Sequence, residues 1–208
     1  MTHPAAVARI TGDRHDFNVV HDFANSTTWL HSFMEAMAKY GIVLLAVTLL
    51  VGWWLGRRHN SPRKIAAAIW SAIAALVALA LVQPIASAAD EQRPFVGQSW
   101  HALIKHAADA GFPSDHATGA GAVAAGLFFV AWELGVVTLL IALLIAFSRV
   151  YVGVHFPQDV AAGLALGAVV ALIGMFVVTP LLTRLLERLR STPLRPLLVA
   201  GPSAEDPL

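Results

Sequence analysis

Cysteine is absent from the 208-residue chain, which excludes disulfides and thiolate chemistry. Charge is scarce: Asp, Glu, Lys and Arg make up 13%, where a soluble domain carries about 25%. The formal net charge of +1 gives no sign of an acidic partner, nucleic acid included. Residues 1–16 are polar, with Arg9, Asp13, Arg14 and Asp16, and lack the basic-then-apolar pattern of a cleaved signal peptide. No internal repeat is visible, and no phosphate-binding glycine fingerprint precedes an apolar helix.

Apolar residues fill the space, at 57% of the chain. The expected fold is an all-α integral membrane helical bundle, a single domain over residues 1–208. Five segments read as membrane helices, at about 40–55, 65–86, 117–132, 136–147 and 160–182. A spanning helix needs roughly 17–25 residues, so the third and fourth must borrow from their flanks. Glu133-Leu134-Gly135 reads as their tight turn. Small residues crowd the third (Gly119 to Gly126) and the fifth (Ala161 to Ala168), which lets helices approach closely in lipid. Residues 1–39 read as a polar and amphipathic segment. Within it, 17–39 is expected to lie at the interface, broken by Asn25-Ser26-Thr27-Thr28; a sixth span there is the rival reading. Residues 191–208, with four prolines, read as a disordered tail.

Arg57, Arg58, Arg63 and Lys64 lie between the first two spans, and Arg184, Arg188, Arg190 and Arg195 follow the fifth. Five spans put both groups on one side, and the positive-inside rule makes it the cytoplasm. The loops around 87–115 and 148–159 then meet on the extracytoplasmic face of the cytoplasmic membrane.

Those loops hold three polar clusters. The first is Glu91-Gln92-Arg93-Pro94-Phe95. The second is Pro113-Ser114-Asp115-His116, opening the third span. The third is Ser148-Arg149-Val150-Tyr151-Val152-Gly153-Val154-His155, followed four residues later by Asp159. His155 and Asp159 at that spacing share one helical face. An aspartate holding one ring nitrogen leaves the other free to attack or to move a proton. Helix N-termini and two arginines favour an anion, phosphate above all. His116, His155 and Asp159 are also a zinc-type donor set, but Arg93 and Arg149 beside a dication oppose that reading.

Arg-Pro, Pro-Ser-x-His and Ser-Arg-x-Tyr-x-Gly-x-His-x-x-x-Asp, in that order, resemble the three-part signature of the type 2 phosphatidic acid phosphatases. These lipid phosphatases are relatives of the vanadium haloperoxidases. The Pro-Ser-Asp-His variant resembles the bacitracin-resistance type of undecaprenyl-diphosphate phosphatase. The resemblance covers about 93–163 and implies a metal-free, cofactor-free membrane hydrolase acting on a lipid phosphate. It implies His155 as nucleophile, Asp159 as its orienting partner and His116 as general acid and base. Arg93, Arg149 and Ser114, with backbone N–H groups near Asp115 and His116, would hold the phosphate oxygens.

One departure stands out. The family lysine seven residues before the arginine is Ala86 here; Lys105, His101 or His106 are the candidates to replace it. Loss of a phosphate ligand suits an easier leaving group. A diphosphate expels a phosphate monoester, with a second pKa of about 6, whereas a monophosphate must expel an alkoxide. A polyprenyl diphosphate is therefore the expected substrate. Phosphatidic acid, phosphatidylglycerophosphate, a prenyl-phospho-sugar or phosphotransfer to another hydroxyl are the alternatives. A transporter would show repeated halves or broken helices, and neither is present.

Overall fold

The computed structural model describes residues 4–96 and 101–200, and among them every regular element is a helix. They are α1 (Pro4–Ser26), α2 (His31–Arg58), α3 (Pro62–Ala89), α4 (Asp115–Leu127), α5 (Trp132–Tyr151), α6 (Pro157–Val177), α7 (Thr179–Leu189) and α8 (Arg195–Leu198). Among the described residues four helices are long and apolar enough to cross a membrane: α2 with the 3-10 turn Thr28–Leu30 before it, α3, α5 and α6. Leu50, Leu76, Leu140, Ile173 and Phe176 stand exposed on their outer faces. Such a belt is unfavourable in water and at home in hydrocarbon. The chain is a multi-pass membrane protein.

The expected third span is shorter than the sequence suggested. α4 has 13 residues, about 20 Å at 1.5 Å per residue, and it runs through the protein interior against α3, α5 and α6. Its small residues are the reason. A Cβ at Gly121 would strike the backbone of Leu164, and one at Gly167 would strike the carbonyl of Thr118. The backbones of α4 and α6 thus touch where a larger side chain would hold them apart. The α4–α5 turn also sits earlier than expected. It falls at 128–131, and Glu133-Leu134-Gly135 belongs to the first turn of α5. Phe128 folds over Gly135, whose missing side chain leaves room for that ring.

The segment 17–39 is not one piece. It breaks at Thr27, whose Oγ1 accepts from or donates to Tyr151 Oη at 2.9 Å, and its second half is the start of α2. α1 packs on α5 and α6 through Phe17, fully buried against Phe156, and it leaves Val19 and Phe23 outside.

The fifth expected span is likewise two helices. α6 stops at Val177 and α7 restarts at Thr179 with Pro180 in its first turn, where the missing proline N–H costs no helical bond. The expected disordered tail is a correction over 191–200. Leu198 is buried with Ile65, Ala66 and Leu186. Arg57 Nε donates to the Pro196 carbonyl at 2.7 Å, and Trp53 Nε1 donates to that of Leu197 at 3.2 Å. Apolar burial and side-chain donors from α2 hold this stretch despite its prolines. The expectation for residues 201–208 falls outside the described residues. These contacts, with Arg190 donating to the Asn60 carbonyl, gather both basic groups at one end of the bundle.

The other end is closed by residues 90–96 and 101–114. Three main-chain bonds tie this loop down: Gly111 N–H to the Glu91 carbonyl (2.8 Å), Leu103 N–H to Val152 (2.9 Å) and Ser114 N–H to Asp159 (3.0 Å). All three polar clusters meet here.

Candidate active site

Arg93 leaves the α3–α4 loop and is 5% exposed. Its Nε donates to Asp109 Oδ1 at 2.8 Å and its Nη2 to the Ala110 carbonyl at 3.3 Å. Nη1 donates to the Val154 carbonyl at 3.1 Å and to His155 Nε2 at 3.0 Å. Partial desolvation is the strongest single influence on the Asp109 carboxyl and pushes it up, but the hydrogen bond to Arg93, the Arg93 charge and its own backbone N–H together leave it below the usual carboxylate value. Gly153 sets up the same strand of contacts. Its φ of +79° is left-handed, open to glycine at little cost, and turns the chain after α5 so that Val154 and His155 point inward.

His155 is 2% exposed. The i, i+4 argument for His155 and Asp159 needs correcting in its mechanism. α6 begins at Pro157, so His155 lies in the turn before the helix. Asp159 reaches back instead, its Oδ2 accepting the Phe156 N–H at 2.9 Å and standing 3.4 Å from His155 Nδ1. The nearer partner of Nδ1 is the Gly111 carbonyl, at 2.9 Å. Both neighbours are acceptors, so Nδ1 carries the proton and Nε2 the lone pair. Gly111 is the orienting group the sequence could not reveal, because a carbonyl is present at every position. A bare Cα matters there too: a Cβ would meet Arg93 Cγ at 3.1 Å.

Burial first, then the Arg93 and Arg149 guanidiniums, hold the His155 imidazole well below the ordinary histidine value. It is therefore neutral at pH 7, its Nε2 lone pair accepting from Arg93 Nη1.

Arg149 comes from the last turn of α5 and is 2% exposed. Nη1 donates to the Ala38 carbonyl of α2 at 3.0 Å, while Nε and Nη2 are buried with no protein partner. Ser114 Oγ is in the same condition: Ser114 stands at the N-cap of α4 without capping it. Buried unpaired donors are costly, and three of them lie at this end of the bundle. Asp115 and His116 form the first turn of α4, whose N–H groups have no helical acceptors. Asp115 is exposed and His116 is half-buried.

Of the residues considered for the missing lysine, His101 and Lys105 are exposed. His106 instead packs edge-on to His155, ring centroids 6.3 Å apart. Burial, then Arg93 and Arg149, lowers its pKa against the pull of the Ala107 carbonyl. Tyr151 is buried and structural in its contacts, Oη donating to the Thr27 carbonyl at 3.0 Å. Among the described residues no three His, Asp or Glu side chains are grouped to hold a metal ion.

Fold and site together define a membrane-embedded helical bundle with a histidine and two arginines buried together at one end. Residues 67–182 match the family model of the PAP2 superfamily, and the chain belongs to that superfamily. It is 36% identical over 76% of its length to undecaprenyl-diphosphatase BcrC of Bacillus subtilis, covering 79% of that protein. It is 32% identical over 84% of its length to the putative undecaprenyl-diphosphatase YbjG of Escherichia coli, covering 87%. Its fold is similar to the crystal structure of the first transmembrane PAP2-type phosphatidylglycerolphosphate phosphatase from Bacillus subtilis. That match has a TM-score of 0.63 at 19% identity and covers 88% of this chain and 89% of that one.

Proposed function

We propose that this protein hydrolyses a polyprenyl diphosphate of the undecaprenyl type to the monophosphate and inorganic phosphate. It does so on the extracytoplasmic side of the cytoplasmic membrane. His155 Nε2 attacks the terminal phosphorus and the bond to the bridging oxygen breaks. His116, which burial and then Arg149 hold at about 4 in the free protein, takes up a proton together with the anionic diphosphate and gives it to the departing monophosphate. His116 then takes a proton from water, which attacks the phosphohistidine; inorganic phosphate leaves and Nε2 recovers its lone pair. Arg93, Arg149, Ser114 and the N–H groups at Asp115 and His116 bind the oxygens where charge builds. The Gly111 carbonyl and Asp159 hold Nδ1–H and stabilise the imidazolium that forms. His106, whose ring packs on His155, binds the second phosphate in place of the family lysine that is Ala86 here.

The observation that carries this reading is the pair of unpartnered buried nitrogens on Arg149 beside a neutral, oriented His155. The similarity to proteins named undecaprenyl-diphosphatases supports the choice of lipid. The basic end formed by Arg57, Arg63, Arg184 and Arg190 supports the orientation, since it lies opposite His155. The test is phosphate release by the purified protein in detergent with EDTA. A polyprenyl diphosphate should be cleaved in preference to phosphatidic acid and phosphatidylglycerophosphate. Preference for either glycerolipid overturns the substrate, and loss of activity in EDTA overturns the metal-free mechanism.

A further inference from the structure

The basic end of the bundle carries a cavity of about 440 Å³ that the reaction does not use. It opens where α6 gives way to α7, beside the start of α3 and the α4–α5 turn. Arg63, Arg184 and Glu187 form its polar rim; Phe129, Met175 and Phe176 line its apolar part. The break at Val178 creates it, because α7 leaves the axis of α6 and packs back on α3.

Two arginines against one carboxylate leave the rim cationic. Among the described residues neither Arg63 nor Arg184 is engaged in a hydrogen bond or ion pair. Phe176 is 72% exposed and Val177 is 62% exposed, so surface suited to hydrocarbon runs up to the last turn of α6. The arginines begin there. That vertical order, apolar then cationic, matches a phospholipid, whose acyl chains lie below its phosphate. Guanidinium groups suit phosphate oxygens, and basic pockets between membrane helices on the cytoplasmic side suit anionic head groups.

We infer that this cavity binds one anionic glycerophospholipid of the adjacent leaflet, with its phosphate between Arg63 and Arg184 and its acyl chains over Phe129 and Phe176. Its carboxylate, Glu187, tempers the affinity and keeps exchange with the bulk lipid possible. The site is separate from His155 and stands whether or not the phosphatase reading does.

The full-length protein in detergent, titrated with phosphatidylglycerol and read by native mass spectrometry, tests this. Phosphatidylcholine and inorganic phosphate serve as comparisons. The double substitution R63Q/R184Q should weaken phosphatidylglycerol binding about 30-fold, from about 1 kcal/mol for each charge near a membrane surface. It should leave phosphatidylcholine binding and phosphate release unchanged. Glu187→Gln should strengthen phosphatidylglycerol binding, a gain that mere structural damage cannot produce. Equal phosphatidylglycerol affinity in the wild type and R63Q/R184Q overturns the inference. So does phosphatidylcholine held as tightly through the same arginines, or inorganic phosphate displacing the lipid, which would make this a free-anion site.

Discussion

Replacing Arg149 by lysine keeps a positive charge at the end of α5 and removes the planar fork. In the native protein Nη1 is spent on the Ala38 carbonyl and Nε and Nη2 are buried without a protein partner; in the proposed mechanism these two meet phosphate oxygens. A hydrogen bond to a charged group contributes about 1.5–3 kcal/mol. A lysine ammonium is a point charge and recovers one of the two bonds at best. Arg149→Lys should therefore cost about 1.5–3 kcal/mol of transition-state stabilisation, a fall in kcat/KM of about 10–150-fold. Arg149→Gln loses both charged bonds and should fall about 10²–10⁴-fold. The assay is phosphate release from a polyprenyl diphosphate below KM. Melting temperature in detergent is the control, because losing the bond to Ala38 costs about 1 kcal/mol of stability. An Arg149→Lys enzyme within about threefold of wild type would refute the reasoning, since the fork would then do nothing that a point charge cannot.

Other outcomes follow from the same geometry. His155→Ala should abolish turnover while the protein stays folded, and residual release at the native rate would move the nucleophile elsewhere. His116→Ala should slow poor leaving groups more than good ones; an equal loss on both would remove its role as general acid. Because burial and the flanking arginines depress the His155 pKa, the imidazole should remain neutral as pH falls through about 6.5, the ordinary histidine value, and protonate only well below it. A ¹⁵N-histidine titration showing half-protonation at or above that value contradicts the electrostatic picture. Gly167→Ala places a methyl inside the Thr118 carbonyl and should destabilise the α4–α6 contact by about 1–3 kcal/mol, read as a lowered melting temperature. An unchanged value would mean the two backbones are free to separate.

Composition and motif order sufficed for the class of protein and for the residues that meet at one end. Twenty-odd apolar residues in a row have few stable alternatives to a membrane helix, and helical burial does not depend on what lies far along the chain. The three polar clusters were readable because charge between apolar spans is rare and costly. What the sequence could not contain is the main-chain chemistry that organises those clusters. The carbonyls of Gly111 and Ala38 hold His155 and Arg149, yet every residue has a carbonyl, so neither leaves a mark. The approach of His106 to His155 depends on how a loop of more than twenty residues closes. Boundaries failed for a related reason. Apolarity alone cannot separate α6 from α7, or locate the turn that Phe128 makes over Gly135, because those breaks are decided by side chains packing across helices. The tail misled through its prolines: Leu198 finds a buried site and Arg57 and Trp53 supply donors, partners that exist only once α2 and α3 are in place. Local spacing is written in the chain; which distant backbone atoms face a side chain is decided only when the helices pack.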